Sequence, residues 1–303
     1  MTLPALDALP AVDTQRGGDP ALLFAELKAV IADAITAHPR SQQKRIGPSE
    51  IGNPCARAIA YKVTGCPEVR TLPPGWRPFV GTATHGDLEE VFVTQPLTED
   101  GAARWLVELT VEAGQVAGQP LKGHLDLYDR VTCTVVDWKI VGPSSMKKYR
   151  AAINAGRAPR IVYRVQGHTY GLGLTRRGLP VDTVMIVFLP AAGELDEALV
   201  WSEPYDEQVA VAAMARVDRI HGLAAALGLA PALAATNGAL HAIGAGHLAD
   251  PGTGPDSPAI GTDPYSCRFC PWLLGGSTDL SVSCPGAAPA GIPRQSSLHS
   301  LVG

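Results

Sequence analysis

Several features are missing from this chain of 303 residues, and each absence excludes a class of protein. No apolar run reaches the roughly 18 residues that a membrane-spanning helix needs. The first residues show neither the basic region nor the apolar stretch of a secretory signal, so we predict a cytoplasmic protein without membrane association. The Gly-x-x-x-x-Gly-Lys-Ser/Thr loop that binds nucleoside triphosphates is also missing, which excludes a helicase of that type.

Acidic residues are missing locally, and this changes how the net charge is interpreted. The formal charge of −4 and the pI of about 6.1 argue against a nucleic-acid partner. From Trp138 to Val181, however, there is no Asp or Glu, although nine Lys and Arg residues are present. Such a segment indicates either a solvated basic face or a surface for a phosphate backbone. The candidate DNA contacts are Lys147, Lys148, Arg150, Arg160 and Arg164.

Two short apolar runs carry the most informative charges. Leu125 and Leu127 precede a turn at Asp129-Arg130, and Val135, Val136 and Ile140 follow it, which predicts a β-hairpin. Because side chains alternate along a strand, Asp137 and Lys139 share a face, and Trp138 points away from it. Together with Asp126, they form an oxygen-ligand site suited to Mg²⁺ or Mn²⁺ beside a cation, unless the hairpin simply carries a solvated Asp/Lys pair.

Motifs on either side of the hairpin lead to a family resemblance. Gln166 and Tyr170 lie four apart, on one face of a predicted helix, and His85 lies upstream in Gly-Thr-Ala-Thr-His-Gly-Asp-Leu-Glu. The order Gly123-x-x-Asp126, Asp137-x-Lys139 and Gln166-x-x-x-Tyr170 resembles the RecB-like branch of the PD-(D/E)XK nuclease superfamily.

The resemblance implies a role for each matching residue. The divalent metal ligands would be His85, Asp126, Asp137 and the backbone carbonyl of Trp138, with Glu108 as a further candidate on the preceding strand. Lys139 would be catalytic beside Asp126 and Asp137, and Gln166 and Tyr170 would position the substrate backbone.

Four of the six cysteines form a second pattern. Cys267-x-x-Cys270 has a spacing typical of zinc or iron–sulfur sites, and disulfides are disfavoured in a cytoplasmic protein. Cys55 lies far upstream, and thirteen residues separate Cys270 from Cys284. The arrangement resembles iron–sulfur nucleases of the AddB and CRISPR-associated Cas-four type, although fewer residues usually separate the last two ligands there.

This second resemblance implies a 4Fe-4S cluster held by Cys55, Cys267, Cys270 and Cys284. The cluster would staple the N- and C-terminal segments together, a structural role that needs no redox partner. Zinc remains an alternative metal, and Cys66 an alternative to Cys55 as the upstream ligand. Cys133 is predicted to be a small buried thiol within the strand that leads to Asp137.

The predicted organisation is an α/β nuclease core, a mixed sheet flanked by helices, with helical additions. Residues 1–45 form a tail and a helix over 20–37, residues 46–205 the core, residues 206–286 a helical segment, linker and cysteine segment, and residues 287–303 a disordered tail. Within the core we predict helices at 55–64 and 82–93, a loop at 71–79, strands near 104–112, 121–129 and 132–141, a helix with Gln166 and Tyr170, and a strand at 183–189. The helix after Asp206 is predicted to extend to about Ala242.

The function predicted from these motifs is that of a Mg- or Mn-dependent DNA exonuclease, acting in recombination, repair or phage or CRISPR DNA processing. One alternative is a non-catalytic subunit that binds DNA ends and works with a recombinase, annealing protein or integrase. Another is a structural protein stapled by zinc, in which the aspartate pair is fortuitous.

Overall fold

A computed structural model of the chain describes residues 19–38, 43–99, 101–228 and 267–284. Contacts divide the chain into two units, residues 1–43 with 74–76 and residues 44–73 with 77–303. In the first unit, helix α1 (Pro20–Ala37) begins after Asp19, whose side chain accepts a hydrogen bond from the N–H of Ala21 at 2.8 Å. The predicted helix over 20–37 is therefore confirmed. The predicted linker at 250–264 and tail at 287–303 lie outside the described residues.

The second unit contains a five-stranded mixed sheet with the strand order β1-β2-β3-β4-β5. Strands β3 and β4 run parallel, and the other neighbouring pairs are antiparallel. The elements that follow α1 in chain order are α2 (Pro48–Ile51), α3 (Ala56–Val63), α4 (Trp76–Val93), β1 (Trp105–Val116), β2 (Gln119–Asp129), β3 (Thr134–Val141), α5 (Pro143–Asn154), α6 (Ile161–Thr175), β4 (Thr183–Pro190), β5 (Leu199–Pro204) and α7 (Glu207–Leu227). The second unit contains all of them except Trp76, the first residue of α4.

Helices cover both faces of the sheet, as predicted. Helix α6 is buried from Arg164 to Leu174, and Gly167 lets it approach β4 closely, because a Cβ there would lie 2.3 Å from Val184 Cγ1. On the opposite face, Phe92 of α4 stacks on Trp138 of β3 with ring centroids 5.7 Å apart. Trp138 thus points away from the α6 side, as the strand alternation predicts.

Several predicted boundaries are corrected by the structure. Helix α4 begins at Trp76 and not near 82, because Pro78 lies in its first turn, where a missing N–H costs nothing. Strand β1 continues beyond 112 to Val116 through a register shift between Glu112 and Gly114. Helix α7 ends at Leu227, and the rest of the predicted helix lies outside the described residues. Strand β5 and helix α5 were not predicted.

Cys133 also differs from its prediction. It lies in the turn before β3, is half-buried, and has a backbone φ of 51°. Left-handed backbone of this kind suits a turn and not an extended strand. Its neighbours Thr132 and Thr134 are β-branched residues that favour strands, which is why the strand was predicted to start earlier than it does.

Strands β1 and β2 are irregular at one pair of opposed residues, Glu108 and Asp126. Glu108 has a φ of 45°, and the recorded pairing passes from Val107↔Leu127 directly to Leu109↔Leu125. Leu125 and Tyr128 pack in one apolar cluster although they are three residues apart, whereas Leu127 packs in another. The alternation of faces is therefore interrupted at Asp126, which faces Glu108 across the hairpin.

A buried polar network ties α6 to the start of α7. The carboxylate of Glu203 on β5 accepts from Arg164 Nε at 2.5 Å and lies 2.6 Å from His168 Nε2. The N–H of Asp206 donates to His168 Nδ1 at 3.1 Å, so the ring hydrogen lies on Nε2 and is donated to Glu203. Burial alone raises the pKa of Glu203, but the bonds from His168 and Arg164 outweigh it and hold the pKa below its ordinary value.

We expect Glu203→Gln to destabilise the fold by about 3 kcal/mol at neutral pH, because the buried Arg164 loses its carboxylate partner. Since the pKa of Glu203 is lowered by folding, its contribution is present above the unfolded-state pKa and is lost as the pH falls through the folded-state pKa. Urea unfolding at neutral pH and at about pH 3 measures this. The difference between wild type and variant should shrink in acid, and an equal difference at both pH values would contradict the assignment.

Candidate active site and cysteine cavity

Three possible metal ligands meet between α4 and the first hairpin. His85 Nδ1 lies 3.2 Å from Asp126 Oδ1, and ligand atoms of His85, Glu108 and Asp126 all lie within 4.8 Å of one another. Glu108 reaches this group because the strand irregularity described above turns its backbone. The structure therefore brings together His85 and Asp126, as predicted, and includes Glu108, the additional candidate.

Asp126 also connects this group to β3. The recorded pairing of β2 with β3 runs from Asp129↔Thr134 to Leu127↔Val136. Just beyond it, Asp126 Oδ2 accepts a hydrogen bond from the backbone N–H of Trp138 at 2.7 Å. The carboxylate thus bridges the diverging strands and places the Trp138 backbone beside the candidate ligands.

Asp137 and Lys139 form the centre of a second set of contacts. Asp137 is fully buried, and its Oδ2 lies 2.5 Å from Lys139 Nζ. Lys139 Nζ donates to Gln166 Oε1 at 3.1 Å, and Gln166 Nε2 donates to the Tyr170 hydroxyl at 2.9 Å. All four predicted residues are therefore in one connected chain.

The side chains of Gln166 and Tyr170 are both buried, with 6% and 3% of their surface exposed. Gln166 accepts the hydrogen bond from Lys139, and Tyr170 in turn contacts Gln166. A direct contact with the substrate backbone stays a prediction from the resemblance. Gly123 belongs to the same region, because a Cβ there would lie 3.0 Å from Tyr170 Cε1 and 2.8 Å from Pro48 Cγ.

Electrostatics in the site follow from burial and mutual charge. Burial raises the pKa of Asp137 to about 6 against the opposing charge of Lys139, and nearby Asp126 raises it further. Burial lowers the pKa of His85, but its hydrogen bond to Asp126 and the charges of Asp126 and Asp137 outweigh this, so the pKa lies above its ordinary value.

Sequence reasoning missed Tyr163. Lys139 Nζ lies over its ring, 5.0 Å from the centroid, and Arg160 Cζ lies 5.2 Å from the same centroid. Tyr163 precedes Gln166 by three residues on α6, so the helical spacing that linked Gln166 to Tyr170 also indicates this position.

The predicted metal ligands suit a divalent cation. Carboxylate oxygens are the ligands that Mg²⁺ and Mn²⁺ prefer, and imidazole is a ligand of first-row transition metals. Among the described residues, the buried oxygens of Asp137 accept no hydrogen bond of good geometry, although Lys139 is in ion-pair contact. An unsatisfied buried oxygen is costly, and a bound cation would remove that cost.

The predicted basic contacts separate into two groups. Lys147, Lys148 and Arg150 are exposed on α5, and Arg160 is exposed at the start of α6. Arg164, in contrast, is 7% exposed and paired with Glu203, so its burial argues against the phosphate contact predicted for it. Charge counted along the sequence could not reveal that this arginine points into the network behind β5.

The four predicted cluster cysteines line one cavity. A cavity of about 230 Å³ has Cys55, Cys267, Cys270 and Cys284 in its wall. Burial raises the pKa of Cys55, partly opposed by the N–H groups of Ala58 and Arg57, and raises the pKa of Cys270 to about 11; in both cases nearby cysteines raise the pKa further.

The cysteine segment 267–284 packs on the loop and helix that carry Cys55. Trp272 stacks on Tyr61 with ring centroids 5.7 Å apart, and its indole N–H donates to the carbonyl of Cys66 at 3.0 Å. The N–H of Cys284 donates to the carbonyl of Trp272 at 2.7 Å. The residues between Cys270 and Cys284 therefore turn back on themselves, so that the long spacing still returns Cys284 to the cavity.

Cys66 lies beside this segment but does not line the cavity. Its Sγ lies 3.6 Å and 3.7 Å from the carbonyl oxygens of Ser281 and Val282. Cys55 is held differently: Arg216 donates to the carbonyls of Asn53 and Pro54 at 2.8 Å and 3.1 Å and fixes the turn before it.

Comparisons with known proteins give little further guidance. No family model and no curated protein matches this sequence. Among solved structures, an alkaline exonuclease from Laribacter hongkongensis is similar with a TM-score of 0.39 and 11% identity, over 65% of this chain and 94% of that one. A likeness of this size does not establish a shared function.

In the described part of the chain, no helix is long and apolar enough to cross a membrane.

Proposed function

We propose that this chain is a Mg²⁺- or Mn²⁺-dependent deoxyribonuclease that cleaves DNA from its ends and carries a structural 4Fe-4S cluster. The observation that carries the proposal is the arrangement around Asp137. A fully buried carboxylate, paired with Lys139 and close to Asp126 and His85, is a costly group for a purely structural hairpin to retain.

His85, Glu108, Asp126 and Asp137 would hold one or two divalent cations. Bound there, a cation supplies a water of lowered pKa and offsets negative charge on the reacting phosphate. Trp138 donates its N–H to Asp126 and so fixes the orientation of that carboxylate; its backbone carbonyl is a further candidate ligand.

Lys139 would orient the attacking water or stabilise charge on the phosphate. Its ammonium is held from three sides, by the Asp137 carboxylate, the Gln166 amide oxygen and the Tyr163 ring. A group fixed in this way loses little freedom in the reaction, which lowers the entropic part of the barrier. The exposed Lys147, Lys148, Arg150 and Arg160 would attract the phosphate backbone.

The lining of the cysteine cavity supports a metal centre with four sulfur ligands. Cys55, Cys267, Cys270 and Cys284 offer the four thiolates that a 4Fe-4S cluster takes. Four thiolates are also a ligand set for a single zinc ion, so metal analysis decides between the two.

Digestion of end-labelled single- and double-stranded DNA tests the nuclease proposal. We expect Mg²⁺ or Mn²⁺ to support progressive loss of the label, EDTA to stop it, and Asp137→Ala to abolish it. Intact DNA that is nevertheless retarded in a gel would favour the non-catalytic end-binding subunit.

The cofactor proposal has a separate test that needs no activity. Protein prepared without oxygen should be brown and contain iron and labile sulfide. Colourless protein with stoichiometric zinc would overturn the cluster proposal and leave the nuclease proposal standing.

A further inference from the structure

Bound to a metal centre as thiolates, the four cysteines around the cavity would carry a local excess of negative charge. Cys284 is 5% exposed, and Cys55, Cys267 and Cys270 are half-buried. Sulfur ligands must be deprotonated to bind metal, and a 4Fe-4S cluster with four thiolates remains anionic. Because water solvates this charge poorly in a half-buried site, positive groups within the protein have to offset it.

Arg57 is the positive group best placed to offset the negative charge of the cysteine centre. It follows Cys55 by two residues, in the first turn of α3, and its Nη1 donates to Cys284 Sγ at 3.6 Å. The hydrogen bond connects residues 227 positions apart in the sequence. Arg57 also lies in the wall of the cysteine cavity, so one side chain contacts a ligand sulfur and faces the space that the metal centre would occupy.

Lys62, on the same helix, also lies in the wall of the cavity but makes a different kind of contact. Its Nζ lies 3.3 Å from Glu50 Oε1, so its charge is paired with a carboxylate. The two basic residues of α3 therefore offer a matched comparison, in which one contacts a ligand sulfur and the other an acidic side chain.

We propose that Arg57 is a positioning residue for the cysteine centre, which holds the Cys284 sulfur and partly neutralises the bound cluster. This inference rests on the cluster that belongs to the proposed function. Its consequences follow from charge. A guanidinium beside the cluster favours the more negative, reduced form, and the hydrogen bond restrains a ligand that would otherwise leave more readily.

The test compares Arg57→Gln, Arg57→Lys and Lys62→Gln with wild type after anaerobic preparation. We expect Arg57→Gln to lose iron to a chelator at least about tenfold faster, in line with the effect of groups that hold metal ligands, and to have a more negative midpoint potential. Arg57→Lys should partly restore both the slow release of iron and the midpoint potential, because lysine keeps the positive charge. Lys62→Gln should retain iron as wild type does.

Each outcome decides the question. Iron release and a potential equal to wild type in Arg57→Gln would overturn the role of Arg57 while the cluster stands. Wild-type protein without iron or sulfide would overturn the cluster and this inference with it. Thermal melting of the iron-free proteins separates the effect from a general folding defect, since Arg57→Gln and wild type should then melt alike.

Discussion

Replacing Lys139 by alanine is expected to lower the rate of DNA cleavage by about 10²- to 10³-fold, the effect of removing one fixed group that stabilises developing charge. The loss should appear in kcat and not in KM, because the exposed basic residues of α5 remain to attract DNA. Single-turnover cleavage of end-labelled DNA at saturating Mg²⁺ measures it. Lys147→Ala is the matched control and should affect KM or its salt dependence only.

The same substitution should also destabilise the metal-free protein. Asp137 is fully buried, and Lys139 is its charged partner, so removing the lysine leaves a buried charge at a cost of about 3–5 kcal/mol. Asp137→Asn combined with Lys139→Gln removes both charges and should recover much of that stability while remaining inactive. Wild-type cleavage by a properly folded Lys139→Ala protein would rule out the assigned role.

Replacing Cys270 by serine is expected to have the largest effect on the fold. The iron content should fall to near zero, and residues 267–284 should become accessible to a protease. The segment packs on the rest through the stacking of Trp272 on Tyr61 and through hydrogen bonds from Trp272 to Cys66 and from Tyr61 to the carbonyls of Leu280 and Ser283. Bonds from the four cysteines of the cavity to a metal would be the strongest of its attachments. Metal–thiolate bonds that close such a long loop contribute strongly to folding.

Cys66→Ser is the control for this prediction, because Cys66 lies beside the same segment and does not line the cavity. It should keep its iron and its resistance to protease. Iron analysis and limited proteolysis of both variants measure the difference. Full iron occupancy in Cys270→Ser would contradict the proposed ligand set, and loss of iron in Cys66→Ser would assign Cys66 to the site instead of Cys55.

The sequence predicted the parts of this molecule that depend on local spacing. The hairpin, the shared face of Asp137 and Lys139, and the helix of Gln166 and Tyr170 follow from strand and helix periodicity. The mixed sheet with helices on both faces was predicted through the family resemblance. The meeting of four distant cysteines at one cavity was also predicted in this way.

Other features depend on contacts that no local pattern encodes. Arg164 was counted with the basic segment, yet it pairs with Glu203 on a strand that was not predicted. Tyr163 has no charge and no motif of its own. Its helical spacing from Gln166 indicates its position, but its role becomes visible only from Lys139 lying over its ring. The inclusion of Glu108 with His85 and Asp126 depends on a left-handed backbone angle, which a sequence rich in β-formers gives no reason to expect.

The interrupted alternation at Glu108 and Asp126 has a consequence for engineering this protein. A non-glycine residue in left-handed backbone carries strain of order 1 kcal/mol or more, so a design that idealises the hairpin would gain stability. It would also restore regular alternation and turn Glu108 and Asp126 onto other faces of the sheet. Substitutions at this one pair of residues would then raise the stability of the fold and lower the affinity for metal. A screen for stabilised variants would select variants that have lost the metal site.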